Sequence, residues 1–171
     1  GALAVKVDFT PDTAAVKALA RLGLTFRVKD TFGKVEYNGR GDIETYNDRK
    51  AAGFIGHYKT TAEAMFHYYV KPQATANRTD VRWVSISDTR NRLMVAAKSP
   101  FQFSVTPFSD SVIDRATHIN QLSRDGLLTV HLDANQSGVG TATCGPGVAE
   151  KYRVPVKPTS FEFVLYPAMA K

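Results

Sequence analysis

Apolar and polar residues alternate along most of the chain, as they do in β-strands that bury one face. Residues 3–9 read L-A-V-K-V-D-F, and residues 22–28 show the same alternation. The pattern predicts short strands at residues 3–9, 22–28, 34–37, 66–70, 81–88, 93–97, 101–106, 127–133, 151–156 and 161–166. Strands at this spacing favour an antiparallel sandwich or barrel over alternating strand–helix units.

Helical signals are few and short. A proline at the first position, an alanine-rich stretch and Gly23 near the end predict a helix over residues 11–21. Ser109 is a suitable N-cap for a second short helix at residues 110–116. The sequence therefore predicts an all-β fold with one or two short helices.

Three segments between the predicted strands are polar or rich in glycine, at residues 38–53, 71–79 and 134–150. Long loops on a β scaffold commonly hold the functional residues of a protein. The chain shows no internal repeat and no linker rich in proline, serine and glycine. We therefore treat residues 1–171 as a single domain.

The composition is that of a globular protein, with 43% hydrophobic and 22% charged residues, which argues against disorder and against fibrous folds. The 22 lysines and arginines exceed the 16 aspartates and glutamates, for a formal net charge of +6. The basic residues are dispersed, and their longest cluster is Arg49–Lys50, whereas a nucleic-acid face needs many basic groups on one surface. We expect no nucleic-acid partner. Because no run of about 18 apolar residues is present, we also expect no membrane partner.

The chain has a single cysteine, Cys144. It excludes an internal disulfide framework and a zinc site built from several cysteines. A lone cysteine fits a reducing compartment, so we expect a cytoplasmic protein. The N-terminus lacks the pattern of a signal peptide, and Gly1 in place of methionine suggests a processed or excised piece.

Two sets of side chains are candidates for chemistry. The four histidines lack the spacing of metal ligands, so we expect no metal or cofactor in this chain. Glu44 and Asp48 lie in one loop, and a glycosidase needs only two suitably placed carboxylates. The alternative is that Asp48 and Arg49 order this loop by pairing with neighbouring side chains and backbone groups. Both interpretations fit the spacing, and the second is the more common arrangement.

The loops and strands contain an ordered set of recognisable strings. Residues 39–49 read G-R-G-D-I-E-T-Y-N-D-R, and they are followed by Y-V-K-P-Q at 69–73, N-R-T-D-V-R-W at 77–83, P-F-Q-F-S at 100–104, A-T-H at 116–118 and a glycine-rich loop at 138–147. In this order they resemble the motifs of the C-terminal domain of the family 2 glycoside hydrolases that are β-galactosidases. Asp42 stands where the first motif usually has proline. The resemblance extends from about Ala20 to Pro167, and the ordered set is much more specific than any one motif.

The resemblance implies a large antiparallel β-sandwich of the galactose mutarotase-like, or supersandwich, type, which in some bacteria forms a separate small chain. The family hydrolyses terminal β-D-galactosides such as lactose with retention, through two glutamates in a (β/α)8 barrel that also binds magnesium and a monovalent cation. The barrel and its glutamates are not in this chain. The resemblance therefore implies a non-catalytic domain without its own cofactor, inactive alone, whose partners are the barrel region and the galactoside substrate.

In this family the C-terminal domain reaches the active site through its glycine-rich loop, and in some members a tryptophan of that loop stacks on the sugar. Here Cys144 stands at the matching place, and a thiol offers a sugar much less surface than an indole. The glycines of the loop permit positive φ and close approach of the backbone to a ligand or to the barrel. The resemblance implies that the following residues bind substrate at the rim of the site: Gly140, Thr141, Ala142, Thr143 and Cys144.

Two aromatic residues are open to more than one interpretation. Trp83 lies in an apolar strand and is expected in the core rather than on a sugar-binding face. Tyr46 lies in a loop, and together with the sandwich pattern it supports an alternative function, a free-standing carbohydrate-binding module. Such a module would bind galactosides by itself, whereas a domain of a larger enzyme would need the rest of that enzyme.

Overall fold

In the part of the chain that the structure describes, the regular structure consists mainly of eight antiparallel strands and two short helices. A computed structural model describes residues 1–12, 16–140 and 145–170. The strands are β1 (Leu3–Phe9), β2 (Arg21–Lys29), β3 (Lys34–Arg40), β4 (Ile55–Thr61), β5 (Arg78–Ser87), β6 (Asn91–Thr106), β7 (Leu127–Gln136) and β8 (Thr159–Met169). The helices are α1 (Ala62–Met65) and α2 (Asp110–Arg115), and short 3-10 turns lie at Ile119–Gln121 and Glu150–Tyr152.

Strand β6 joins the two halves of the sheet. The main strand order is β1-β8-β6-β5-β3-β4, and β7 and β2 branch from β6. Residues 91–97 of β6 pair with β8, whereas residues 102–106 pair with β7. Because one long strand contributes to both halves, the sheet folds over a shared core, which gives the all-β sandwich predicted from the sequence.

The core draws on both halves of the sheet. Val84 and Ile86 of β5 pack in one cluster with Val130 and Leu132 of β7, and Phe103 of β6 lies in the same cluster. All five side chains are fully buried. Burying one large apolar side chain is worth roughly 1.5–3 kcal/mol, so this cluster holds the β2–β7 branch against the rest of the sheet.

Most of the predicted elements are confirmed. Strands at 3–9, 22–28, 34–37, 81–88, 127–133 and 161–166 are present, and the predicted strands at 93–97 and 101–106 are the two ends of the continuous β6. The predicted helix after Ser109 is α2, with the Ser109 hydroxyl accepting a hydrogen bond from the Val112 N–H at 3.3 Å. In the ranges that the structure describes, no helix is long and apolar enough to cross a membrane.

Three predicted elements are wrong. Residues 16–20 are not helical, because Leu19 forms a bridge with Val154 and β2 already begins at Arg21; Thr13, Ala14 and Ala15 lie outside the described residues. The 151–156 segment contains a 3-10 turn and that bridge instead of a strand. Phe66, in the predicted 66–70 strand, ends α1 and packs on Phe108 in a second apolar cluster. Strand β4 was not predicted, although it pairs with β3 along its whole length.

The prediction that Trp83 lies in the core is also wrong. Its ring is partly exposed and meets the His57 ring edge-on, with 5.4 Å between ring centres. The register of β5 shifts between Val81 and Trp83. Because of this bulge both Val81 and Val84 are fully buried, and Trp83 turns to the opposite face. Strict alternation from Val81 would have placed Trp83 inside.

Candidate functional site

The segment that follows β3 folds into a tight loop, here called the anchoring segment (residues 41–50). Gly41 begins it with φ of 134°, a conformation that favours glycine. Tyr46 and Arg49 close it through two backbone hydrogen bonds, of 3.2 and 2.9 Å. This turn directs the side chains of successive residues into different parts of the protein.

Glu44 is the buried centre of the anchoring segment, with 8% of its surface exposed. Its carboxylate accepts hydrogen bonds from Arg49 Nη1 at 2.8 Å, from Thr75 Oγ1 at 2.6 Å and from the Ala76 N–H at 3.2 Å, and also from the Tyr69 hydroxyl. Burial by itself would raise the pKa of Glu44, but these donors outweigh it and hold that pKa below its usual range. Glu44 is therefore an ionised anchor.

The N-R-T-D segment at the start of β5 is bonded to the anchoring segment. The backbone carbonyl of Asn77 accepts from the Thr45 N–H at 2.8 Å, and the side-chain amide of Asn77 donates to the Thr45 carbonyl at 2.9 Å. Asp80 accepts from Arg40 Nε at 2.6 Å and Lys50 Nζ at 2.8 Å. Desolvation raises the pKa of Asp80, but the bonds from Lys50 and Arg40 produce a net lowering. Two of the motifs recognised in the sequence thus form one structural unit.

Asn47 connects this unit to the β6–β7 half of the sheet. Its side-chain oxygen accepts from Gln102 Nε2 at 3.0 Å, and its amide donates to the Gln136 carbonyl at 2.6 Å and to Asn135 Oδ1 at 2.9 Å. Gln102 belongs to the P-F-Q-F-S string in β6. The end of β7, where the glycine-rich loop begins, is therefore fixed relative to the anchoring segment.

Asp48 binds the first residues of the glycine-rich loop directly. Its Oδ1 accepts from the Val139 N–H at 3.0 Å and its Oδ2 from the Gly140 N–H at 2.7 Å. A Cβ on Gly138 would lie 2.5 Å from Asp48 Cγ, and one on Gly140 would lie 2.8 Å from the Val148 nitrogen. Gly140 also has φ of 64°. The backbone approaches at Gly138 and Gly140 therefore require glycine.

Of the predicted rim residues, Gly140 is placed in this cluster, and Thr141, Ala142, Thr143 and Cys144 lie outside the described residues. The glycines are not equivalent, since a Cβ on Gly147 would meet nothing within 4 Å. The interpretation that Asp48 and Arg49 order their loop is confirmed by their bonds to the Gly140 N–H and to Glu44.

Tyr46 is unsuited to the sugar-stacking role considered for it. Only 2% of its surface is exposed, and burial raises the pKa of its hydroxyl. A ring must present an open face to stack on a sugar. The alternative function, a free-standing carbohydrate-binding module, is therefore no longer supported by Tyr46.

A buried ionisable group behind the site was missed by the sequence reasoning. Asp133 in β7 is 1% exposed, and burial raises its pKa to about 6 although Arg21 Nη2 lies 3.6 Å from its Oδ2. On the same face of β7, His131 is bonded to Asp110 of α2 at 3.0 Å. The other ring nitrogen of His131 is bonded to Thr25 of the neighbouring strand β2. Within the described part of the chain, no group of three or more His, Cys, Asp or Glu side chains is placed to hold a metal ion.

Comparison with known proteins identifies relatives along almost the entire chain. Residues 1–165 match the family model described as "Beta galactosidase small chain". The chain is 30% identical to the β-galactosidase of Staphylococcus xylosus over 96% of its own length, and 32% identical to that of Kluyveromyces lactis over 85%. These alignments span only 16% and 14% of the two relatives. The chain thus corresponds to a small part of the proteins that it resembles.

Proposed function

Since the chain belongs to the β-galactosidase small-chain family, we propose that it is a non-catalytic part of a retaining β-galactosidase that hydrolyses terminal β-D-galactosides such as lactose. Its partner is the catalytic barrel region, either in the same polypeptide or in a large subunit. Its own contribution is structural contact with the barrel and a glycine-rich loop, including Gly140 and Cys144, at the rim of the substrate site.

The observation that supports this proposal most is the direct bonding of Asp48 to the Val139 and Gly140 N–H groups. A loop that serves a binding site has to be held in position by the scaffold beneath it. Residues of the strings at 39–49, 69–73, 77–83 and 100–104 are bonded to one another, and Asp48 of the first string bonds to the base of the loop. This polar cluster therefore supports the loop to which we assign the substrate contact.

The candidate carboxylates support a non-catalytic role. Glu44 is occupied by buried donors, and Asp48 uses one oxygen for each of two backbone N–H groups. A glycosidase needs one carboxyl group free to protonate the leaving oxygen and another free to act on the sugar. We therefore assign the catalytic pair to the barrel region. The magnesium and monovalent cation expected in such an enzyme are assigned there too, and the single cysteine supports a cytoplasmic location.

The isolated chain is expected not to hydrolyse a chromogenic aryl β-galactoside, because its two candidate carboxylates, Glu44 and Asp48, are already bound by donors of the fold. The same assay on the chain combined with the remainder of its β-galactosidase, fused or as a separate subunit, should show turnover. Circular dichroism on the isolated chain would confirm that it is folded in the assay. Robust turnover by the folded, isolated chain would overturn the proposal.

Replacing Cys144 by tryptophan in the complete enzyme is expected to change substrate affinity more than stability. An indole adds a large apolar face at the proposed rim, so we expect KM for aryl galactosides to change at least threefold while the midpoint of thermal unfolding stays nearly constant. Cys144→Ser, which keeps the size of the side chain, is the matched control. Identical kinetic constants for the tryptophan variant and the parent would count against a place at the rim.

A further inference from the structure

The base of the glycine-rich loop, residues 137–140, is held by four backbone N–H groups. The Ser137 N–H donates to the Ala20 carbonyl at 2.9 Å and the Gly138 N–H to the Tyr152 carbonyl at 3.0 Å. The next two N–H groups, of Val139 and Gly140, both donate to the carboxylate of Asp48. The first two acceptors are backbone carbonyls, whereas Asp48 accepts through its side chain. Asp48 can therefore be replaced without changing the sequence of the loop.

The chemistry of this contact requires a carboxylate. Each oxygen of Asp48 accepts from one N–H, at 3.0 and 2.7 Å, so both ends of the group have to be acceptors. Asparagine has the same size but offers one acceptor and one donor. With asparagine at position 48, an NH2 group would face one of the two loop N–H groups, whichever way the amide is turned.

Asp48 is itself held in place from both sides. The backbone bonds between Tyr46 and Arg49 close the turn that contains it. Gly138 packs against it so closely that a Cβ there would lie 2.5 Å from Cγ of Asp48. Gly138 therefore allows the carboxylate to reach the loop, and the rigid turn determines where the loop base lies.

We propose that Asp48 is a positioning residue that sets the geometry of the glycine-rich loop and, through it, the affinity for the galactoside. The part of this proposal that concerns affinity rests on the proposed function, because a displaced loop changes galactoside binding only if it lies at the substrate site. The part that concerns the loop base, which Asp48 holds, rests on the contacts alone. Loss of one of the two carboxylate bonds loosens the loop at Val139 and Gly140 without changing any residue of the loop.

The test compares Asp48→Asn with the parent in the complete enzyme, by hydrogen–deuterium exchange and by steady-state kinetics. Exchange of the Val139 and Gly140 amides, followed in the peptide covering residues 137–140, should speed up at least tenfold. KM for an aryl galactoside should rise at least threefold, and kcat should stay within twofold. A uniform loss of fold would instead speed exchange throughout the chain. Unchanged exchange at 137–140 would overturn the assignment, whatever the kinetics.

The two measurements separate this inference from the proposed function. Faster exchange at 137–140 with unchanged KM would confirm that Asp48 holds the loop and would overturn the role of the loop at the substrate site. Asp42→Asn is the matched control. Asp42 is an exposed aspartate of the same segment, and it bonds to Arg78 through its backbone carbonyl, which the substitution keeps.

Gly138→Ala should reproduce the Asp48→Asn result, because both changes act on the same contact. The two changes combined should be no worse than either alone, and full additivity would contradict a shared contact.

Discussion

Replacing Glu44 by glutamine is expected to lower the free energy of unfolding by about 3 kcal/mol, although the two side chains have the same size. The Ala76 N–H and the Arg49 guanidinium are obligatory donors, and they bond to different oxygens of Glu44. An amide turned either way presents its NH2 group to one of them. The substitution therefore leaves either the buried Ala76 N–H or the half-exposed Arg49 guanidinium without its acceptor, and it removes the charge that attracts Arg49.

Urea denaturation at pH 7 measures this loss, with Glu63→Gln as the matched control. Glu63 also bonds to a tyrosine and an arginine, Tyr68 and Arg124, but its side chain is 50% exposed. Exposed ion pairs are typically worth only about 0–1 kcal/mol, so the control should lose less than about 1 kcal/mol. Equal losses in the two variants would show that the burial of Glu44 does not set its contribution.

Much of the sheet could be predicted because one face of each strand is buried. The alternation in 3–9 and 22–28 identified β1 and β2, and the Ser109 cap identified α2. The same rule failed where the pattern is weak. Strand β4 reads I-G-H-Y-K-T-T, with few apolar residues, and it forms because β3 offers a partner along its whole length.

Two further errors have local physical causes that the sequence does not display. The alanine-rich stretch before β2 favours a helix by propensity, but a short helix without packing is marginal in water, and Leu19 instead gains a backbone partner in Val154. Trp83 faces outwards because of a register shift in β5. A bulge depends on how two strands pair, so the alternation within one strand cannot reveal it.

The sequence predicted the loops that form the candidate site, but it did not predict the contacts that join them into one polar cluster. The ordered motifs indicated where function lies, and the spacing of Glu44 and Asp48 left two interpretations open. What decides between them is the identity of the donors, and the two N–H groups on Asp48 belong to residues 91 and 92 positions later in the chain. Backbone donors are present at almost every residue, so no side-chain pattern marks the ones that a carboxylate will accept from.

Asp133 leads to the second large effect, a pH dependence of stability that Asp133→Asn should remove. Its pKa is about 6 in the folded protein, against roughly 4 in an unfolded chain. A carboxyl group with a raised pKa binds protons more tightly when folded, so its contribution favours the folded state at low pH. That advantage is lost as pH rises through 6. Two pKa units correspond to about 3 kcal/mol.

The pKa of Asp133 is raised because its carboxylate is buried and the neighbouring charges do not offset the loss of water. Among the described residues, Oδ2 of Asp133 has no hydrogen-bond donor, and Arg21, at 3.6 Å, donates instead to Gln136 Oε1 at 3.0 Å. His131 and Asp110, which are bonded to each other, have opposing and smaller influences on the pKa of Asp133. In Asp133→Asn, Arg21 keeps its bond to Gln136, and the cost of burying a carboxylate disappears.

The measurement is the free energy of unfolding of Asp133→Asn minus that of the parent, from pH 4 to pH 8. This difference should rise by about 3 kcal/mol in favour of the variant between pH 4 and pH 7 and then level off. Carboxylates with lowered pKa values, such as Glu44 and Asp80, are present in both proteins and cancel. In the control Asp125→Asn, the bond from Arg27 lowers the pKa of the carboxyl group, so its difference should change only below about pH 4. A difference for Asp133→Asn that stays constant from pH 5 to pH 8 would show that Asp133 is not a buried charge in solution.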